Sequence, residues 1–433
     1  MQNGLQNNSQ GTELNNNKEL SMSTMSRAET PEEVGFSSER LGRIPAFFQD
    51  YLDRKKVSGM SFLIARGGKV AYQHNMGVKD FDSGSPIDNE TIFRIYSMSK
   101  PITSVALMML YEEGKFRLDH AVSRYIPEFA NLAVFDQGGI HDYTTKPLDR
   151  PMQIRDLLTH TSGLTYGFMF QNTVDRLYRK GPFNDAKSSK LTLEQYCIEL
   201  AKMPLLFSPG TGWNYSVSTD VCGRLIEVMS GMSLEAFFHS RIFEPLGMVD
   251  TGFDIAPDKV ERLASCYQRD PKSRQATLQD RGSDSRYLGK KTFFSGGGGL
   301  LSTIGDYYRF CQMLANGGDY MGARLLSPTT VDYMRINHLP GNKTMGEMGD
   351  SLFSENNMDG SGFGLGFSMV LNPVEVAAVG SAGIYSWGGA ASTYFWIDPE
   401  EDLLAIFMTQ LMPSDAYPMR PQLQQLTYAA IID

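Results

Sequence analysis

The chain has 433 residues, 41% hydrophobic and 21% charged, with a formal net charge of −9 and a pI near 5.3. That length and balance suit a folded protein of two or three domains, and the acidic surplus argues against nucleic acid or an anionic membrane surface as partner. No apolar run approaches the roughly 18 residues that cross a bilayer, so no membrane partner is expected.

Residues 1–26 are rich in Asn, Gln and Ser and have neither a basic start nor an apolar core. They read as a disordered polar tail without a secretory signal. Two β-prone runs, 61–65 and 70–73, flank Gly67-Gly68, which supplies hairpin turn chemistry. A further β-prone run, 91–96, leads into Ser97-Met98-Ser99-Lys100, and an apolar helix is expected from near Pro101.

This S-x-x-K is informative because of its place. With Ser97 at the first helical turn, Lys100 lies one turn later on the same face, within reach of the hydroxyl. A serine is a poor nucleophile unless a base takes its proton, and a lysine serves only if burial and the helix dipole hold it neutral. The alternative is a serine that caps the helix beside a solvated lysine.

Helical spacing continues through 102–115, 154–159, 193–203, 217–231 and 234–243. Between the third and fourth, Trp213-Asn214-Tyr215-Ser216-Val217 marks a loop-to-helix junction where a phenol either faces a cleft or packs a seam. The polar stretches 268–291 and 341–362 read as long loops that act as lids or mobile segments. The run Gly296–Gly299 lacks the Lys-Ser or Lys-Thr of a phosphate loop and points to close backbone packing.

Toward the end, residues 363–370 and a hairpin of 393–397 and 403–407 around a turn at 398–402 are expected to join the first hairpin in one antiparallel sheet, with a terminal helix on it. Just before that hairpin, Ser386-Trp387-Gly388-Gly389-Ala390 reads either as a glycine turn or as a backbone N–H donor for an oxyanion. The expected division is a discontinuous α/β domain of 27–96 and 292–433, a mainly helical domain of 97–291, and an active site at their interface.

Several chemistries are absent. There is no complete G-x-S-x-G nucleophile elbow. The six histidines show no metal-ligand spacing, so no metal and no cofactor is expected, and His160 reads as a structural hydrogen-bonding residue. The four cysteines are scattered without C-x-x-C, as reduced thiols in a cytoplasmic protein are.

Taken together, these elements resemble the serine hydrolases of the class C β-lactamase and penicillin-binding-protein fold, and within them the family VIII carboxylesterases. The resemblance runs from about residue 30 onward. It includes Phe93-Arg94, the run 114–119 (GKFRLD), the run 157–164 (LLTHTSGL) and the run 296–303 (GGGGLLST). It implies a β-lactamase/transpeptidase-like α+β fold: an antiparallel sheet flanked by helices, with an inserted mainly helical domain. It makes Ser97 the nucleophile, Lys100 its proton acceptor and Tyr215 the phenolic partner, with an oxyanion hole on the N–H groups of Ser97 and Ala390. Trp387, with Gly388 and Gly389 beside it, then stands where β-lactamases carry the lysine of K-T-G, and Val217 replaces the Asn of Y-x-N. Both departures fit a small neutral ester better than a β-lactam carboxylate. Tyr166, Phe168, Met169 and Phe170 read as a candidate acyl pocket or as core.

The expectation is therefore a serine carboxylesterase that hydrolyses short-chain esters through an acyl-enzyme, with weak cephalosporin hydrolysis. A β-lactamase, cell-wall peptidase or acyltransferase on the same fold is the alternative, and a non-catalytic ligand-binding module is the alternative of another class.

Overall fold

The structure is a computed structural model that describes residues 25–183, 189–349 and 355–433. The expected tail therefore lies outside the described residues up to residue 24. Ser26 is fastened, because its carbonyl accepts from the Val70 N–H at 2.8 Å.

Helix α1 (Arg43–Asp53) precedes a hairpin of β1 (Gly59–Arg66) and β2 (Lys69–Gly77). Gly67 and Gly68 turn it at φ +59° and +72°, the left-handed pair that matches the twist of two antiparallel strands. The middle of the chain contributes α2 (Ser99–Glu112), α3 (Ser218–Ser230) and α4 (Ile304–Ala315). Strands β3 (Ser361–Phe363), β4 (Ser368–Val370), β5 (Tyr385–Gly388), β6 (Tyr394–Asp398) and β7 (Leu403–Thr409) follow, and α5 (Met419–Tyr428) ends the fold.

The sheet runs β3-β4-β5-β6-β7-β1-β2, antiparallel throughout, so the two ends of the chain meet where β7 pairs with β1 and Phe407 faces Phe62. Alternation along the strands divides two cores. Leu63 and Ala65 of β1 with Leu404, Ile406 and Met408 of β7 enter the larger core, shared with α2, α3 and α4. Met60, Phe62 and Ile64 with Leu403, Ala405 and Phe407 enter the other, under α1 and α5. Because both faces are covered, β7 is apolar at nearly every position and shows no polar alternation.

Four sequence expectations shift. The strand read over 91–96 shrinks to Phe93–Arg94, paired with Leu301–Ser302, and a single parallel bridge from Ile92 to Leu263. Helix α2 begins at Ser99, two residues before Pro101, which is tolerated because first-turn N–H groups have no helical acceptor. The stretch 268–291 is not simply a loop: Cys266–Arg269 pairs with Ala276–Asp280 and, in parallel, with Leu411–Met412. The second of those strands is mostly exposed, with Thr277, Leu278 and Gln279 all at the surface, so it lacks the apolar alternation that reveals a strand. Its end is anchored by Arg94, which is fully buried and donates to Asp280 Oδ2 at 2.8 Å and Ser285 Oγ at 2.9 Å. Within 341–362, Met345–Met348 forms a helical turn, and residues 350–354 lie outside the described residues. No helix among the described residues is long and apolar enough to cross a membrane.

Candidate active site

Tyr96–Met98 forms a single tight turn between the short Phe93–Arg94 strand and α2. Tyr96 holds φ +42°, a left-handed conformation that is costly for a side chain of its size, and it delivers Ser97 to the wall of a cavity of about 900 Å³. One turn on, Lys100 is 2% exposed. Its Nζ donates to Gly297 O at 2.6 Å, Tyr166 Oη at 3.1 Å and Ser97 Oγ at 3.3 Å. Burial drives its pKa down to about 8, against the opposing charges of Asp220 and Glu355.

Tyr215 enters from the loop before α3 and donates from Oη to Ser97 Oγ at 2.6 Å. Its phenol is held well above its ordinary pKa, first by burial and then by the Glu355 charge, with the Ser97 hydrogen bond opposing. It is therefore a phenol at neutral pH. Lys100 Nζ also lies 4.5 Å from the centre of the Tyr215 ring. His160 touches none of these hydroxyls. Its Nδ1 lies 3.2 Å from Ser216 Oγ, its ring packs on Trp213, Tyr215 and Phe363, and burial keeps the imidazole neutral.

Opposite Ser97, the turn from Gly389 to Thr393 closes with Gly389 N donating to Thr393 O at 2.9 Å and Ser392 N to Gly389 O at 2.9 Å. Ala390, within this turn, lines the same cavity as Ser97. Among the described residues, neither the Ser97 nor the Ala390 N–H has a hydrogen-bond acceptor. Two unspent backbone donors beside a hydroxyl are the elements of an oxyanion site. Behind Lys100, Asp220 accepts from Ser295 Oγ at 2.6 Å and Gly297 N at 3.1 Å, which fixes the Gly297 carbonyl that Lys100 uses. Gly296 must lack a Cβ because one would stand 2.8 Å from Thr219 O.

The remaining sequence candidates separate. Tyr166 and Phe168 line the cavity, stacked at 4.7 Å, and Tyr166 is in addition a ligand of Lys100. Phe170 is 73% exposed and lies under the Arg179 guanidinium at 4.3 Å, outside the cavity, and Met169 is buried in the core. Val217 is core as well, because the helix that begins after it turns its side chain into the protein. Trp387 is fully buried rather than a cavity wall: alternation along β5 sends the indole inward, 5.5 Å from the Tyr215 ring and 5.3 Å from Phe363. Gly388 and Gly389 do not line the cavity either; they make room. A Cβ on Gly388 would stand 2.5 Å from the Arg420 guanidinium, and one on Gly389 would stand 2.3 Å from Ile95 O.

Sequence reading missed Asp220, Ser295, Glu355 and Arg420. None sits in a motif with its own chemical signal, and each reaches the site only through tertiary packing. The rest of the cavity wall is partly aromatic, with Phe183, Tyr196, Phe253, Tyr287 and Phe293, and partly charged, with Arg286, Lys290, Lys291 and Glu355. Among the described residues, no group of three or more His, Cys, Asp or Glu is placed to hold a metal ion.

The family model described as Beta-lactamase matches residues 44–429. The chain belongs to the Beta-lactamase family. Protein Rv1367c of Mycobacterium tuberculosis is 34% identical over 371 residues, which is 85% of this chain and 89% of that protein. Esterase EstB of Burkholderia gladioli is 27% identical over 381 residues, again 85% of this chain and 89% of that protein. Among solved structures, EstCE1, described as a hydrolase with promiscuous acyltransferase activity, superimposes with a TM-score of 0.75 at 27% identity, covering 91% of this chain and 99% of its own. The β-lactamase/transpeptidase-like fold and the likeness to family VIII esterases expected from the motifs hold for this member of the Beta-lactamase family.

Proposed function

We propose that this member of the Beta-lactamase family is a serine carboxylesterase working through an acyl-enzyme on Ser97. The observation that carries the reading is the convergence of Lys100 Nζ, at 3.3 Å, and Tyr215 Oη, at 2.6 Å, on Ser97 Oγ at the cavity wall. In this reading neutral Lys100 takes the serine proton as Ser97 Oγ bonds to the ester carbonyl carbon. The Ser97 and Ala390 N–H groups receive the developing oxyanion. The Tyr215 phenol passes a proton to the departing alkoxide and is reprotonated by the Lys100 ammonium, which restores the neutral amine; in deacylation that base takes a proton from the attacking water, and the same proton returns to Ser97 Oγ as the acid leaves.

The substrate proposed is a neutral ester, short-chain esters included, with an apolar body against Phe168 and the aromatic wall. Weak cephalosporin hydrolysis fits the shared acylation groups, and strong β-lactamase activity does not, because the K-T-G lysine is replaced by a buried indole. Acyl transfer to an alcohol is the second reading. A cavity of about 900 Å³ leaves room for an acceptor beside the acyl group, and EstCE1 is described as having such an activity. The catalytic reading is preferred over a binding module because recognition alone has no use for a buried lysine held against its charge. The active site is proposed to lie between the discontinuous α/β domain and the helical domain. Four free, buried cysteines suit a reducing compartment such as the cytoplasm.

Intact-protein mass spectrometry after mixing with p-nitrophenyl butyrate or a cephalosporin tests this, with Ser97→Ala as control. A Ser97-dependent acyl adduct and ester turnover are expected. Retention of more than a few per cent of activity by Ser97→Ala would overturn the assignment, and fast cephalosporin turnover with little ester turnover would make the protein a β-lactamase. Partition of the acyl group between water and added alcohol separates hydrolase from transferase.

A further inference from the structure

The turn that carries the Ala390 N–H is tied on one side to Leu411, whose O accepts from Ser392 Oγ at 2.7 Å and whose N donates to Ala391 O at 3.1 Å. It holds glycine at 389, and Ser392 sits at φ +69°, a left-handed conformation that favours glycine. Yet an oxyanion donor is useful only where it is held within a few tenths of an ångström. The side chain that grips both of its closing carbonyls comes from the far end of the chain. From the first residues of α5, Arg420 sends Nη2 to both closing carbonyls of the turn, Gly389 O at 2.8 Å and Thr393 O at 2.8 Å. The same Nη2 lies 2.9 Å from Glu355 Oε2, and Nη1 donates to Glu355 O at 2.8 Å. The guanidinium also stacks over Tyr394, the first residue of β6, at 5.2 Å.

Gly388 completes the arrangement. Its missing Cβ is the space the guanidinium occupies, at 2.5 Å from three guanidinium atoms. The two glycines after Trp387 are thus explained by two different neighbours, Arg420 for the first and the Ile95 carbonyl for the second. The Arg420 side chain is 11% exposed and is not among the residues that line the cavity. It therefore has no direct route to a substrate carboxylate and acts through the turn.

We propose that Arg420 is a positioning residue for acyl transfer, whose guanidinium clamps the Gly389–Thr393 turn and so sets the Ala390 N–H against the oxyanion. This rests on the oxyanion role assigned above. A planar fork with several donors can grip three carbonyls together while its charge pairs with the Glu355 carboxylate, and a lysine ammonium in the same place lacks that geometry.

The test uses the full chain with Arg420→Ala, Arg420→Lys and Gly388→Ala, the last expelling the guanidinium without removing it. Loss of a whole oxyanion donor costs about 100- to 1000-fold in kcat. A donor that is loosened rather than lost is expected to cost about 10- to 100-fold in kcat, with KM changed less than about threefold. Added methylguanidinium is expected to restore a measurable part of kcat to Arg420→Ala and none to Gly388→Ala, where the added Cβ fills the space. A merely structural arginine would not produce that rescue in protein whose circular dichroism matches the parent. The inference is overturned if folded Arg420→Ala keeps kcat within about threefold, or loses only KM, or is not rescued. Ser97→Ala is run alongside. If it is active, the assignment of the site fails; if it is inactive while Arg420→Ala is not impaired, only the clamp fails. Should Arg420→Ala not fold, an unchanged kcat in Gly388→Ala overturns the clamp by itself.

Discussion

Lys100 offers the sharpest quantitative prediction. Burial brings its pKa from 10.5 to about 8, and at about 1.4 kcal/mol per pH unit that displacement disfavours the ammonium in the folded protein by about 3 kcal/mol. At neutral pH about one molecule in ten then holds a neutral amine, against about one in 3000 for an unperturbed lysine, a gain of about 300-fold in competent base. The expected outcome is a kcat/KM for p-nitrophenyl butyrate that climbs nearly tenfold per pH unit from about pH 6 and levels above about pH 8, reporting the free enzyme. Tyr215 stays a phenol across this window because its pKa is raised, so it adds no limb of its own. The linked stability effect has a definite sign. A lysine whose folded pKa lies below its unfolded one burdens the fold fully below about pH 8 and is relieved as pH rises toward 10.5. Lys100→Met is therefore expected to be inactive yet more stable near pH 7. The gain is about 1 to 2 kcal/mol after subtracting the cost of leaving the Gly297 carbonyl unpaired, and it shrinks toward pH 10 in urea unfolding. A profile that is flat from pH 6 to 9, or a limb near pH 10, would refute the argument that burial sets the base.

Other consequences follow from the same geometry. Tyr215→Phe removes the proton donor 2.6 Å from Ser97 Oγ and is expected to lower kcat by about 100- to 10,000-fold with KM nearly constant, checked by steady-state kinetics. Asp280→Ala leaves the fully buried Arg94 without its carboxylate, and denaturant titration should show a loss of about 3 to 5 kcal/mol. Asp306, buried at the start of α4, has its pKa raised to about 6 by burial. The unfolded chain thus gives up this proton first, so stability falls as pH rises from about 4 to about 6 and then levels, a change of about 3 kcal/mol; Asp306→Asn should remove that slope from the pH dependence of unfolding.

Local spacing was enough to set Ser97 and Lys100 one turn apart at the start of α2, to turn β1 into β2 at Gly67-Gly68, and to place the β6–β7 hairpin around 398–402. Each depends only on neighbours within a turn or a pleat, where backbone geometry is the same in every fold. The joint order of the motifs carried the fold and the family, since each marks a junction that any chain of this topology must build. Short range also explains what went astray. The residue type of Phe170 and Val217 was read correctly as apolar, but whether an apolar side chain meets a cavity, solvent or core depends on segments far away in sequence. Trp387 shows the same limit, because a strand's inward face is defined only once the sheet has a core on that side. Asp220, Glu355 and Arg420 bear no local signal at all: an arginine at 420 gains meaning only when α5 crosses the sheet and Gly388 leaves it room. The nature of the chemistry was thus written in contiguous residues, while the burial that lowers the Lys100 pKa and the clamp on the Ala390 turn arise only when both ends of the chain close into one sheet, because burial and long-range hydrogen bonds do not exist before that closure.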